Sequence, residues 1–154
     1  MYELEELLPH GAPMIVLSGV RSCDIENSKV ETFFTVSSSD VFFDENSGGV
    51  PSSFALEYMA QSIACFVGIL GKSKDASFKQ KIGFVLGTRK MDLNIPVFEN
   101  SKTYSVRAEK VFFNEEMASF ECAIFDENNF ECALATVNAF KPKNPLKFLN
   151  QYNE

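Results

Sequence analysis

The stretch Pro51-Ser52-Ser53-Phe54-Ala55-Leu56-Glu57-Tyr58-Met59-Ala60-Gln61-Ser62-Ile63-Ala64-Cys65-Phe66-Val67-Gly68-Ile69-Leu70, followed by Gly71, decides the fold. Proline is tolerated in a first helical turn and glycine commonly follows a last one, so this pattern predicts a helix over residues 51–70. Apolar side chains occupy nearly every side of it, and such a helix must be buried in a core or in a bilayer. Glu57 and Gln61 interrupt the run and leave it well short of the roughly 20 apolar residues of a membrane span. The helix is therefore expected inside a protein core, with no membrane partner.

Working outward, residues 2–8 are short and amphipathic, and Pro9 ends them as a helical turn. Residues 14–20 and 29–36 are rich in β-branched, aliphatic and aromatic side chains and read as strands, joined by a turn at Asp24-Ile25-Glu26-Asn27. Residues 37–50 are loop-like, with Ser37-Ser38-Ser39 at one end and Gly48-Gly49 at the other. After the helix, a basic linker leads to four more strand signals at 82–93, 102–113, 117–125 and 130–140. Asn114-Glu115-Glu116 and Asp126-Glu127-Asn128-Asn129 supply hairpin turns. The tail, with three lysines and two prolines, reads as peripheral. Two strands, one buried helix and an antiparallel run of four strands make an α+β protein whose sheet wraps around the helix. A single-layer wrap leaves sheet edges and a helix flank uncovered, so a dimer is expected.

Composition narrows the function. The 154 residues carry 21 acidic and 14 basic side chains, a net charge of -7. An acidic chain is a poor match for a phosphate backbone, which excludes nucleic acid as the expected partner. At 45% hydrophobic and 23% charged it is a globular chain rather than a disordered one. His10 is the one histidine, which rules out histidine-pair and three-histidine metal sites. No metal or organic cofactor is implied, because neither a ligand set nor a dinucleotide fingerprint is present. The four cysteines contain no CxxC pair. Cys122 and Cys132 flank a turn in a repeated Phe-Glu-Cys triplet; one register sets them face to face and a one-residue slip points them apart, so their redox state is open. Residues 1–6 hold three glutamates and no basic side chain, unlike a secretory leader, and a cytoplasmic location is the expectation.

Chemistry has few places to sit. Glu57 falls in the second turn of the apolar helix, where an ionised carboxylate is costly unless paired and where a general acid or base would be tuned. Gln61, one turn on, shares its face and could orient it. A glutamate favoured by the helix dipole is the competing reading. Gly48-Gly49-Val50-Pro51 leads into the helix start, whose backbone N–H groups could polarise a carbonyl; an ordinary flexible connection is the alternative. His10 sits between Pro9 and Pro13, as a base or as a turn-holding side chain. Residues 72–90 hold Lys72, Lys74, Lys79, Lys81, Arg89 and Lys90 against Asp75 alone, a net +5 in an acidic chain. Such asymmetry fits either an anionic partner or a solvated loop.

Three stretches together resemble the hotdog-fold 3-hydroxyacyl-(acyl carrier protein) dehydratases. Leu7-Leu8-Pro9-His10 followed by Pro13 is similar to that family's N-terminal motif. Ala55-Leu56-Glu57-Tyr58-Met59-Ala60-Gln61 is similar to the motif on its central helix. Leu86-Gly87-Thr88-Arg89-Lys90 with Pro96 downstream resembles its next strand and loop. The likeness is strongest to the divergent dehydratase-like branch of aryl-polyene biosynthetic clusters, where Leu-Pro-His-x-Ala-Pro-Met and Glu-x-Met-Ala-Gln also occur.

The resemblance implies a hotdog fold in a single domain over residues 1–154, dimeric, acting on 3-hydroxyacyl chains held by an acyl carrier protein and giving trans-2-enoyl thioesters. It assigns Glu57 and His10 as catalytic candidates and Gly49, Val50, Ser52, Ser53 and Gln61 as substrate-binding candidates. The backbone N–H groups of about residues 49–53 would polarise the thioester, and the basic residues of 72–90 would meet the acidic carrier. One departure stands out. The family's loop histidine falls at about Phe43, followed by Asp44 and Glu45, and its Gly-His-Phe-Pro sequence is absent. The chain is then a dehydratase in which His10 or Asp44 replaces that base, or a homodimer or heterodimer subunit lending Glu57 or tunnel walls to a histidine-bearing dehydratase. A hotdog thioesterase using Glu57 and a non-catalytic acyl-binding subunit are the alternatives.

Overall fold

A helix apolar on nearly every side needs cover, and the fold supplies it with an antiparallel sheet and, on another face, the N-terminal segment. The computed structural model describes residues 2–9, 11, 14–78 and 85–140. In chain order the elements are α1 (Leu4–Leu7), β1 (Gly19–Asp24), β2 (Lys29–Thr35), β3 (Gly49–Pro51), a 3-10 turn (Ser52–Phe54), α2 (Ala55–Lys74), β4 (Val85–Leu93), β5 (Val97–Glu99), β6 (Thr103–Phe113), β7 (Met117–Phe125) and β8 (Glu131–Phe140). Six strands form an antiparallel sheet in the order β1-β2-β6-β7-β8-β4, and β3 pairs with β5 in a separate small sheet. This is the α+β, hotdog arrangement expected from the sequence.

Side-chain size explains how the sheet accepts the helix. Val30 faces Ala108, Ala108 faces Cys122 and Cys122 faces Ala135 across four neighbouring strands. All four are buried, and this row of small side chains lets α2 sit close to the sheet. Larger rings close the two ends: Tyr58 stacks on Phe34 with centroids 3.6 Å apart, and Phe66 meets Phe120 edge-on at 6.2 Å. One buried polar contact ties helix to sheet, Thr32 Oγ1 to Ser62 Oγ at 2.6 Å, and the Ser62 hydroxyl also contacts the Tyr58 carbonyl at 2.8 Å. Satisfied hydroxyls of this kind contribute about 1 kcal/mol and fix register better than apolar contact does.

The structure departs from the expected spans at several places. Strand β1 begins at Gly19 rather than 14, because residues 14–16 pair with a side chain of α2 instead of with a strand. The helix runs past Gly71 to Lys74. Gly71 is a contact point rather than a stop: a Cβ there would lie 2.3 Å from the Phe78 ring. Strands β3 and β5, three residues each, were too short to show a period. Residues 82–84 of the strand expected over 82–93 and the tail 141–154 lie outside the described residues. By length and composition Ser52–Lys74 could cross a membrane, yet most of its apolar window is buried within the fold, as a core helix requires.

All four cysteines are free. A bulge between Ile124 and Phe125 shifts the hairpin so that Cys122 lies opposite Ala135, and Cys132 directs its thiol to the Phe130 carbonyl at 3.5 Å. Burial pushes the Cys65 and Cys122 thiols up to about 12 and Cys132 to about 11, from an ordinary 9.0. The native state therefore holds these protons more tightly than the unfolded chain, so stability present below pH 9 should fall as pH rises from there toward 12. Thiol labelling of the native protein at pH 8 should modify Cys23, which is half-buried, and spare the other three. Rapid native labelling of Cys65 or Cys122 would contradict this packing.

Candidate functional site

The site is built where the N-terminal segment lies along α2. Glu57, Gln61 and Gly68 share one helix face by their i, i+4 and i+11 spacing. At Gly68 the backbone of Leu7 approaches so closely that a Cβ would lie 2.6 Å from the Leu7 carbonyl oxygen. Further along, Gln61 is fully buried and spends its amide on the same segment. Its Oε1 accepts from the Val16 N–H at 3.0 Å, and its Nε2 donates to the Met14 carbonyl at 2.7 Å. Those two bonds flank Ile15 as a parallel strand's peptide would, which is why residues 14–16 are extended without joining the sheet. The second Nε2 hydrogen points to Glu57 Oε1 at 3.1 Å.

This arrangement fixes polarity. A backbone N–H can only donate, so the glutamine oxygen must face Val16 and its NH2 must face both Met14 and Glu57. Glu57 is half-buried in the first turn of α2, with its Oε1 held by that donor. A positioned, partly dehydrated carboxyl group beside a helix N-terminus has the features of a general acid or base. His10 lies outside the described residues.

The helix start differs from the expectation of a free amide cradle. Val50 is fully buried, paired with Phe98, and Gly49 packs so that a Cβ would lie 2.1 Å from the Phe98 carbonyl oxygen. The Gly49 N–H reaches the Asp44 carbonyl at 3.4 Å and the Ser52 N–H donates to the Pro96 carbonyl at 3.0 Å. Pro51 has no N–H. Gly49, Val50 and Ser52 thus build the wall, and Ser53 is the exposed residue at an entrance that no side chain caps. Neither the short β3–β5 pairing nor these bonds carries a sequence signal.

The preceding loop is closed on the helix by Phe42, stacked on Phe54 at 4.3 Å. Phe43 is half-buried and packed against the core. Asp44 uses its carboxylate to hold its own turn, accepting from the Asn46 N–H at 3.0 Å and the Ser47 hydroxyl at 3.1 Å. Asparagine keeps an oxygen for the Asn46 N–H and offers its NH2 to the Ser47 hydroxyl oxygen, so it should hold the turn nearly as well. Asp44→Asn is expected to keep turnover within about twofold of wild type and shift stability by less than about 1 kcal/mol. Loss of turnover in a folded Asp44→Asn protein would return this carboxylate to the list of bases.

The basic residues divide. Lys72 and Lys74 stand in the last turn of α2, where they also complement the helix dipole. Arg89 and Lys90 are exposed on the edge strand β4 at an irregularity where Lys90 adopts φ 53. Lys79 and Lys81 lie outside the described residues. A separate apolar groove of about 450 Å³ runs between Ile63, Phe66, Val67 and Leu70 of α2 and the β6–β7 hairpin. Those positions belong to another side of the helix than Glu57 and Gln61.

Known structures share this architecture. The chain is similar to the dehydratase heterocomplex ApeI:P from Xenorhabdus doucetiae, with a TM-score of 0.86 at 24% identity over 100% of this chain and 99% of that one. It is also similar to the PaaI protein of the phenylacetic acid degradation operon of E. coli, with a TM-score of 0.59 at 12% identity over 80% of this chain and 82% of that one. A hypothetical thioesterase with coenzyme A from Streptococcus pneumoniae matches with a TM-score of 0.55 at 13% identity, over 79% and 82% of the two chains. These likenesses are of fold. The model of one sequence family, described as ApeP-like, ApeP dehydratase, matches residues 2–150. With nearly its whole length matched, and with the helix motif around Glu57 and Gln61 in place, the chain belongs to the ApeP-like dehydratase family.

Proposed function

We propose that this chain is a dehydratase component that removes water from 3-hydroxyacyl chains carried by an acyl carrier protein, in fatty-acid or aryl-polyene type biosynthesis. One observation carries the reading: a half-buried glutamate at the start of the central helix, its Oε1 held by the amide of a fully buried glutamine, in a chain of a dehydratase family. In the reaction a base takes the C2 proton, the C2–C3 double bond forms as the C3–O bond breaks, and the hydroxyl leaves as water on receiving a proton. Glu57 is assigned the delivery of that proton. His10 is assigned the C2 proton in this chain; Phe43 has no group able to accept one.

The thioester carbonyl would be polarised at the uncapped helix start near Ser53, within a wall made by Gly49, Val50 and Ser52. Lys72, Lys74, Lys79, Lys81, Arg89 and Lys90 are assigned to the acidic carrier. The similar structure named above is a dehydratase heterocomplex. This supports assembly with a related, histidine-bearing hotdog partner, the exposed edge of β4 being the natural place for it. In such an assembly Glu57 serves the shared site.

The test is incubation of the purified protein with a 3-hydroxyacyl carrier protein, following the carrier-bound chain by intact mass. Loss of one water, by this chain alone or on adding the partner dehydratase, is the expected result. Release of free acid would replace the reading with a thioesterase, and no change with or without partner would leave an acyl-binding subunit.

A further inference from the structure

We propose that Gln61 is a positioning residue with two separable duties: it staples the segment Met14–Val16 to α2, and through that staple it presents a fixed donor to Glu57. The inference rests on the dehydratase reading for its catalytic half only. Its geometric half stands on three bonds, from Val16 N–H to Oε1 at 3.0 Å, from Nε2 to the Met14 carbonyl at 2.7 Å and from Nε2 to Glu57 Oε1 at 3.1 Å. A glutamine amide free to rotate could offer either its oxygen or its nitrogen to a neighbour. Here the backbone removes that freedom. If the amide turned over, its NH2 would face the Val16 N–H and its oxygen would face both the Met14 carbonyl and the Glu57 carboxylate, losing all three bonds.

The N-terminal segment is thus part of the site through its backbone, which holds the amide that holds Glu57. It is held at a second point as well, where Leu7 lies against Gly68. The segment acts as a template for the amide, and the amide for the carboxylate. A carboxyl group aimed by a fixed donor needs no reorganisation when it protonates the departing hydroxyl, which is where orientation affects rate.

Two substitutions separate the duties. Gln61→Glu retains an oxygen for the Val16 N–H but places an acceptor against both the Met14 carbonyl and Glu57, whereas Gln61→Met retains the packing and loses all three bonds. Hydrogen exchange of the Val16 amide reads the staple without requiring turnover. It should stay near the wild-type rate in Gln61→Glu and rise about fivefold or more in Gln61→Met, given the worth of one hydrogen bond. Turnover of the assembled complex reads the aim of Glu57. Both variants should lose about tenfold or more in kcat with KM within about twofold of wild type. A purely structural glutamine would instead give kcat that follows exchange, so Gln61→Glu with wild-type kcat overturns the positioning role. Unchanged Val16 exchange in folded Gln61→Met overturns the staple. A wild-type complex without dehydration would overturn the proposed function and not the staple, which the exchange rates then decide alone.

Discussion

Replacing Gly49 by alanine is expected to lower the melting temperature by roughly 10 °C, the largest stability effect of any single methyl group considered for this fold. The added Cβ would lie 2.1 Å from the Phe98 carbonyl oxygen and 2.7 Å from a Val97 side-chain methyl. The oxygen belongs to backbone, so rotamer changes cannot relieve the overlap. The two short strands β3 and β5 must separate, which pulls on the Val50–Phe98 pairing and on the Ser52–Pro96 bond that anchors the helix start. Overpacking of this severity costs about 3 kcal/mol or more. Gly87 is the control, because a Cβ there meets nothing within 4 Å. Gly87→Ala should therefore melt within about 2 °C of wild type. Differential scanning calorimetry of both variants checks the pair, and a Gly49→Ala protein as stable as wild type would refute the packing of the helix entrance.

Glu57→Gln should reduce dehydration by about 10²- to 10⁴-fold, the range for loss of one acid–base group. The substitution preserves shape and leaves Gln61 bonded to Met14 and Val16, so folding should be nearly unaffected. What is lost is a proton that can be delivered: an amide cannot protonate a departing hydroxyl. Affinity for the carrier should be unchanged, because the basic residues assigned to it stand on the last turn of α2, on β4 and in the intervening segment rather than in the first turn of the helix. A kcat effect without a binding effect is therefore the expected pattern.

The sequence carried the frame of the molecule and less of its joints. Helix α2 was legible because apolar side chains on nearly every side leave no broad polar stripe to confuse its reading. Strands β6, β7 and β8 were legible because the turns at Asn114 and Asp126 form their own side-chain bonds, with Asn114 accepting from the Met117 N–H and Asp126 from the Phe130 N–H, both at 2.9 Å. The start of β1 was misplaced for a physical reason: Ile15 and Val16 have strand-forming side chains, but the Val16 N–H and the Met14 carbonyl bond to a glutamine 45 and 47 residues away. Local pattern cannot report such a contact. The same holds for the bulge beside Phe125, a single extra residue that decides what Cys122 faces.

The site divides in the same way. The spacing of Glu57 and Gln61 on one helix face was readable, and the bond between them follows from it. The fixed polarity of that bond was not readable, because it depends on Val16 and Met14. Gly49 and Ser52 read as amide donors from sequence, yet their N–H groups are turned to Asp44 and Pro96. Glycine in that loop serves close backbone packing, and a sequence cannot tell this from close approach by a ligand.

The most direct measurement follows the mass of a carrier-bound 3-hydroxyacyl chain through a single turnover of the assembled complex, with this chain either wild type or Glu57→Gln and the partner unchanged. Loss of one water with the wild-type chain, and a chain that stays hydroxylated over the same interval with Glu57→Gln, is the predicted result. Equal conversion by the two complexes, with both shown to be folded and assembled, would remove Glu57 from the chemistry and contradict the assignment.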